Sequence, residues 1–146
     1  MSDAERDQAL AERVVDAMMA RDAFSRWLGI KVQEIRPSLA TVTMQVREEM
    51  VNGFGVSHGG IVYSLADSAL AFASNTHGQV TVSIENSITY PQPVRVGDEL
   101  VAVAEEETAS TRLGYYRVTV RRQDGTIVAL FRGTVYKTQK DLFRDI

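Results

Sequence analysis

The sequence predicts an α+β domain in which an antiparallel sheet of about six strands wraps one long central helix, with a further helix at the N-terminus. Three observations carry this. The run from Ile61 to Asn75 is apolar almost all round and free of Pro and Gly, so as a helix it must be covered by other structure. Two strand-like runs precede it and four follow, with period-two alternation. The breaks between them are short and rich in turn residues, as antiparallel neighbours require.

Each element has its own justification. From Ala4 to Leu28, Leu10, Val14, Ala17 and Met18 recur at helical steps among acidic residues and Arg, which predicts one amphipathic helix or two. Gly29 ends that segment. Ile30-Lys31-Val32 begins a strand, Pro37-Ser38 turns the chain, and between Ala40 and Arg47 the residues Val42, Met44 and Val46 alternate with Thr41, Thr43 and Gln45, completing a hairpin. Glu48 to Gly60 carries glycines at 53, 55, 59 and 60 and breaks both periodicities, as a structured loop does. After Gly78, the residues Val80, Val82, Ile84, Ile88 and Tyr90 fall on one face of a strand closed by Pro91 and Pro93. Strands then follow over Leu100–Glu106, Tyr115–Arg122 and Ile127–Lys137. Their turns are Ser110 to Gly114 and Gln123-Asp124-Gly125, whose Asp-Gly pair favours a tight hairpin. Residues 1–23 form the N-terminal helical segment and 24–138 the core of a single domain spanning 1–146.

Composition excludes whole classes of function. A chain of 146 residues supports one hydrophobic core. A net charge of −3 offers no general drive toward nucleic acid or anionic membrane, so neither is expected as a partner. Without cysteine there is no disulfide, thiolate nucleophile or cysteine-bound metal, and two histidines leave little for a histidine metal site. No metal and no cofactor are expected. Met1 to Glu5 lacks a basic leader region, and Ser64, Asp67 and Ser68 interrupt the most apolar stretch, so the expected location is cytoplasmic.

The chemistry concentrates between Asn52 and Asp67. Gly59 and Gly60 open the central helix, where amide N–H groups lack intrahelical partners and the helix dipole is positive, so they attract a developing oxyanion. Without a β-carbon, Gly59 also allows a substrate carbonyl to approach the backbone. Asp67 lies mid-helix among Leu65, Ala66, Ala69 and Leu70. It is either a functional acid or base, or a carboxylate on the one wet stripe with Ser64, Ser68 and Ser74. His58 reads as a helix-capping loop residue or a catalytic one, and Asn52 as a turn residue or a ligand contact. Gly55-Val56-Ser57-His58-Gly59 also fits the G-x-S-x-G nucleophile elbow. That motif needs a strand before it, parallel strands around it and a late partner histidine, and His77 is the only later one.

The order of elements together with this segment resembles the hotdog-fold acyl-coenzyme A thioesterases, in their phenylacetate-degradation (PaaI-like) branch, from about Phe24 to Thr138. The resemblance rests on Asn52, then His58-Gly59-Gly60, then Asp67-Ser68, Ser83 and the Ile88-Thr89-Tyr90-Pro91-Gln92-Pro93 strand end, at matching spacings. It implies hydrolysis of an acyl-CoA thioester, an aryl or phenylacetyl type included, to free acid and CoA. It implies Asp67 as general base or nucleophile and the Gly59 amide as carbonyl-polarising donor. Asn52 and His58 would position the carbonyl and water, while Ser68 and Ser83 would help hold the water or the carboxylate. Arg112, in the Ser110–Gly114 turn, is the choice for a CoA phosphate contact. Tyr63, Phe54 and Phe72 either line an aryl pocket or belong to the core. A rival from another class is a non-catalytic hotdog module that only binds acyl-CoA.

Assembly follows from a length. Gly59 and Asp67 are eight residues apart on one helix, roughly 12 Å at about 1.5 Å per residue, yet donor and base must meet at one carbonyl. Two chains with antiparallel central helices solve this, which predicts a homodimer with shared sites. The resemblance implies a further doubling to a homotetramer.

Overall fold

A computed structural model describes residues 1–146. Ser2 starts the first helix, α1 (Asp3–Arg21), by accepting the Glu5 amide at 3.1 Å, with Asp3 and Glu5 complementing the helix dipole. The predicted N-terminal helical stretch is two helices, because Asp22 stops α1 and caps α2 (Ala23–Leu28) through its own carboxylate, which accepts Ser25 N–H at 2.9 Å. Gly29, at φ 78°, closes α2 in the left-handed conformation that a side chain resists.

Six strands follow: β1 (Lys31–Arg36), β2 (Leu39–Gln45), β3 (Gln79–Thr89), β4 (Glu99–Ala109), β5 (Leu113–Arg122) and β6 (Ile127–Asp141). All pairings are antiparallel, in the order β1-β2-β4-β5-β6-β3. Helix α3 (Gly59–Asn75) packs across the inner face of this sheet and begins with the glycine pair expected to open it, ahead of the apolar run from Ile61. Val62, Leu65, Ala66, Ala69, Leu70, Phe72 and Ala73 of α3 meet alternate residues of the strands, such as Val42, Met44, Leu100, Ala102, Val118 and Phe131, in one core. No helix is long and apolar enough to cross a membrane.

Two details differ from expectation. The strands after α3 do not form a run of hairpins, because β3 pairs with β6 and leaves Tyr90 to Asp98 to cross to β4. That connection braces the loop ahead of α3: Ser57 N–H donates to Val94 at 2.7 Å, and Val56 bridges Arg95. The second difference is a β-bulge between Ser83 and Glu85. It inserts one residue and inverts the alternation, so Val80, Val82, Ile84 and Ile88 do not share one face, and Tyr90 lies beyond the end of the strand. Thr81 is buried on one side of the bulge and Ile88 half-buried on the other, whereas Val82 and Ile84 stand 47% and 58% exposed.

Candidate active site

Asp67 projects from the middle of α3 into a cavity of about 240 Å³ lined by Leu70, Ala71, Ser83, Val82 and Val135. Burial raises its carboxyl above the ordinary value of 3.8, a hydrogen bond from Asn86 lowers it, and the charge of Asp22 raises it again. The Asn86 amide donates to Tyr63 Oη at 2.9 Å and to Asp67 Oδ1 at 3.4 Å, and its Oδ1 accepts from Ser83 at 2.9 Å. Ser83 thus reaches Asp67 through Asn86. Asn86 was not among the sequence-predicted residues; the available signal was an Asn inside a strand, where the residue is disfavoured.

Ser68 is buried and faces away from this network, with its Oγ 2.8 Å from Ser25 Oγ. Ser25 donates its one hydroxyl proton to Asp22 at 2.6 Å, so Ser68 is the donor to Ser25. A chain of hydroxyls therefore ties α3 to the α1–α2 junction.

At the other end of α3, His58 occupies the N-cap position with no side-chain capping bond, and its backbone N–H donates to Met50 at 2.9 Å. Asn52 is a turn residue as well as a candidate contact: its Oδ1 accepts Phe54 N–H at 2.9 Å and Val56 N–H at 3.2 Å. Only its Nδ2 is left to face a ligand. The first amides of α3 lack intrahelical acceptors, while the Gly59 carbonyl accepts the Tyr90 hydroxyl at 2.8 Å. A β-carbon at Gly59 would lie 3.1 Å from the Tyr90 ring. Burial, aided by Tyr63, pushes the Tyr90 hydroxyl upward.

The nucleophile elbow is absent, since Ser57 is buried and bonded to the His58 carbonyl at 3.3 Å in an antiparallel fold. Of the three aromatics, Phe72 is in the core and Phe54 is 90% exposed. Tyr63 alone stands near Asp67, packed edge-on against Phe131 at 5.4 Å. Arg112 is exposed at the tip of the β4–β5 hairpin, beside Lys137, whose Nζ donates to Ser110 at 2.9 Å. The structure therefore makes two clusters within one chain: Asn52, His58 and Gly59 at the start of α3, and Asp67, Ser83 and Asn86 two turns on.

Known proteins resemble this chain in sequence and fold. A thioesterase superfamily model matches residues 54–129. The chain is 36% identical to the acyl-coenzyme A thioesterase PaaI of Escherichia coli, covering 83% of this chain and 86% of that one. The solved E. coli PaaI protein, from the phenylacetic acid degradation operon, superposes with a TM-score of 0.90 over 92% of this chain and 97% of that one, at 34% identity. A Streptococcus mutans protein solved with acetyl CoA bound superposes at 0.74 and 25% identity, covering 77% of this chain and 90% of that one. The chain thus belongs to the thioesterase superfamily, in its PaaI-like hotdog branch, and is a thioester hydrolase.

Proposed function

We propose that this enzyme hydrolyses acyl-CoA thioesters to the free acid and CoA, with Asp67 as the reacting carboxylate and the Gly59 amide as oxyanion donor. The observation that carries the reading is Asp67 itself, a desolvated carboxylate in a cavity that adjoins an apolar groove. The groove, about 490 Å³, is lined by Met18, Val80, Leu142 and Phe143 and shares Ala71 and Thr81 with the cavity, so it suits the acyl end of a substrate. The relatives named as acyl-CoA thioesterases support the same substrate class.

In the base route, Asp67 takes a proton from water as the oxygen attacks the thioester carbonyl. The charge moves to the carbonyl oxygen, where the Gly59 N–H stabilises it, and His58 and Asn52 Nδ2 orient the carbonyl and water. The C–S bond then breaks, and the proton passes from Asp67 to the departing CoA thiolate. In the nucleophile route the carboxylate attacks the carbonyl, the C–S bond breaks and the CoA thiolate leaves to take a proton from solvent; water then cleaves the acyl–Asp67 anhydride, releasing the acid and restoring the carboxylate. Arg112 is the proposed phosphate contact.

Asp67 and Gly59 stand roughly 12 Å apart along α3, so we place them in one site only across a dimer. Val82 and Ile84, exposed on the edge strand β3, favour that assembly, because such an edge invites pairing. Doubling to a tetramer belongs to the same reading.

The test is release of free thiol from a panel of acyl-CoA substrates, phenylacetyl-CoA and straight chains included, by wild type and Asp67→Asn. Wild type is expected to turn over, and the variant to lose about 10²–10⁴-fold in kcat while still binding substrate. Binding without thiol release from any substrate overturns the reading in favour of an acyl-CoA-binding module.

A further inference from the structure

We infer that Asn86 is a positioning residue for Asp67: its carboxamide, oriented by Ser83, fixes the carboxylate and supplies its hydrogen-bond donor from β3. The inference rests on the role proposed for Asp67 and adds to it the means by which that acid is held.

The argument begins with strand geometry. In a regular strand, side chains three residues apart point to opposite faces. Ser83 and Asn86 nevertheless hydrogen-bond at 2.9 Å, because the bulge between Ser83 and Glu85 adds the residue that returns both to one face. The bulge thus aims two polar side chains at the one carboxylate of α3.

The polarity of the amide is also fixed. An ionised carboxylate only accepts hydrogen bonds, so the Nδ2 end must face Asp67. The Oδ1 end then needs a donor, and Ser83 provides it. The second Nδ2 proton goes to Tyr63 Oη at 2.9 Å, which holds the amide plane against α3.

Room for the amide comes from the neighbouring strand. Gly133 lies opposite Asn86 in the β3–β6 register, and a β-carbon there would sit 2.8 Å from Asn86 Oδ1. Bulge, hydroxyl, phenol and glycine therefore converge on one side chain. Around Asp67, the other charged or titratable groups are Asp22 from the α1–α2 junction and Tyr63 from the preceding turn of α3, while the remaining walls include Leu70, Val82 and Val135. Asn86 is the donor that opposes the burial of this acid.

The experiment is the pH dependence of kcat and kcat/KM for wild type, Asn86→Ala, Asn86→Asp, Ser83→Ala and Ser83→Thr, with melting curves for each. Asn86→Ala is expected to lower plateau kcat about tenfold or more, with KM little changed. It should also move the acid limb to higher pH, because the ionised base loses a donor. Asn86→Asp, of the same shape, places a second negative charge beside Asp67 and should move the limb further, which keeps the test alive if the alanine variant misfolds. Ser83→Ala should shift the limb in the same direction by less, and Ser83→Thr, which retains the hydroxyl, should restore it. A limb that stays in place in the folded Asn86 variants, with kcat within twofold of wild type, overturns the inference. If Asp67→Asn is inactive in that case, only the role of Asn86 has failed; if Asp67→Asn remains active, the Asp67 reading itself has failed.

Discussion

Asp67 is costly to the fold that carries it. Burial holds its carboxyl above 3.8, with Asp22 adding to the rise and the Asn86 bond offsetting part of it. The native state therefore binds this proton more tightly than the unfolded chain does. Stability attributable to Asp67 is lost as pH rises from 3.8 through the raised value, and it stays lost at neutral pH. Asn keeps the shape and removes the charge. Asp67→Asn is thus expected to melt above wild type at pH 7, with the advantage shrinking as pH falls toward 3.8. Thermal unfolding across that range checks it, and a variant that melts below wild type at pH 7 contradicts the desolvation account.

At the scale of elements, the β3–β6 pair decides the geometry of the site. Gly133 allows β6 to pass close to α3, since a β-carbon would lie 2.5 Å from Leu70 Cδ2 as well as against Asn86. Leu70 is buried in the core, so displacing it would disturb both that packing and the wall of the cavity beside Asp67. Gly133→Ala should cost about 1–3 kcal/mol through overpacking, and should lower kcat by displacing the amide beside Asp67. Urea unfolding with parallel kinetics measures both, and an unchanged midpoint means the strand can move away without cost. The β5–β6 turn shows the opposite case, where local chemistry suffices. Gly125 takes φ 86°, and Asp124, held down to about 2 by the Thr126 amide and Arg122, closes the loop.

For the whole molecule, the separation along α3 makes assembly a requirement of the chemistry proposed for it. Subunits carrying Asp67→Asn, mixed and exchanged with subunits carrying Asn52→Ala plus His58→Ala, should regain activity that neither has alone. A mixed dimer holds one site with both lesions and one with neither, so random exchange should restore roughly a quarter of wild-type activity. Hybrids that demonstrably form and stay at the level of the separate mutants refute the shared site.

The sequence by itself determined the order of elements, the covered central helix and the Asn52–Gly60 loop, because hydrophobic period, glycine and proline act within a few residues of where they stand. It also marked Asp67, since a carboxylate in an apolar helix is conspicuous without any neighbour. It did not determine that β3 lies beside β6, that a bulge inverts its face, or that Asn86 meets Asp67. The alternation of Val82, Ile84 and Ile88 reads as one continuous face, and nothing local marks the inserted residue. Register is settled by pairing with a strand some fifty residues away, as in Ser83 opposite Val135. Ser68 makes the same point from the other side: its spacing after Asp67 was legible, but its partner Ser25 comes from the α1–α2 junction. Which side chains meet at the acid was decided by tertiary packing, because the contacts that orient it join segments distant in the chain.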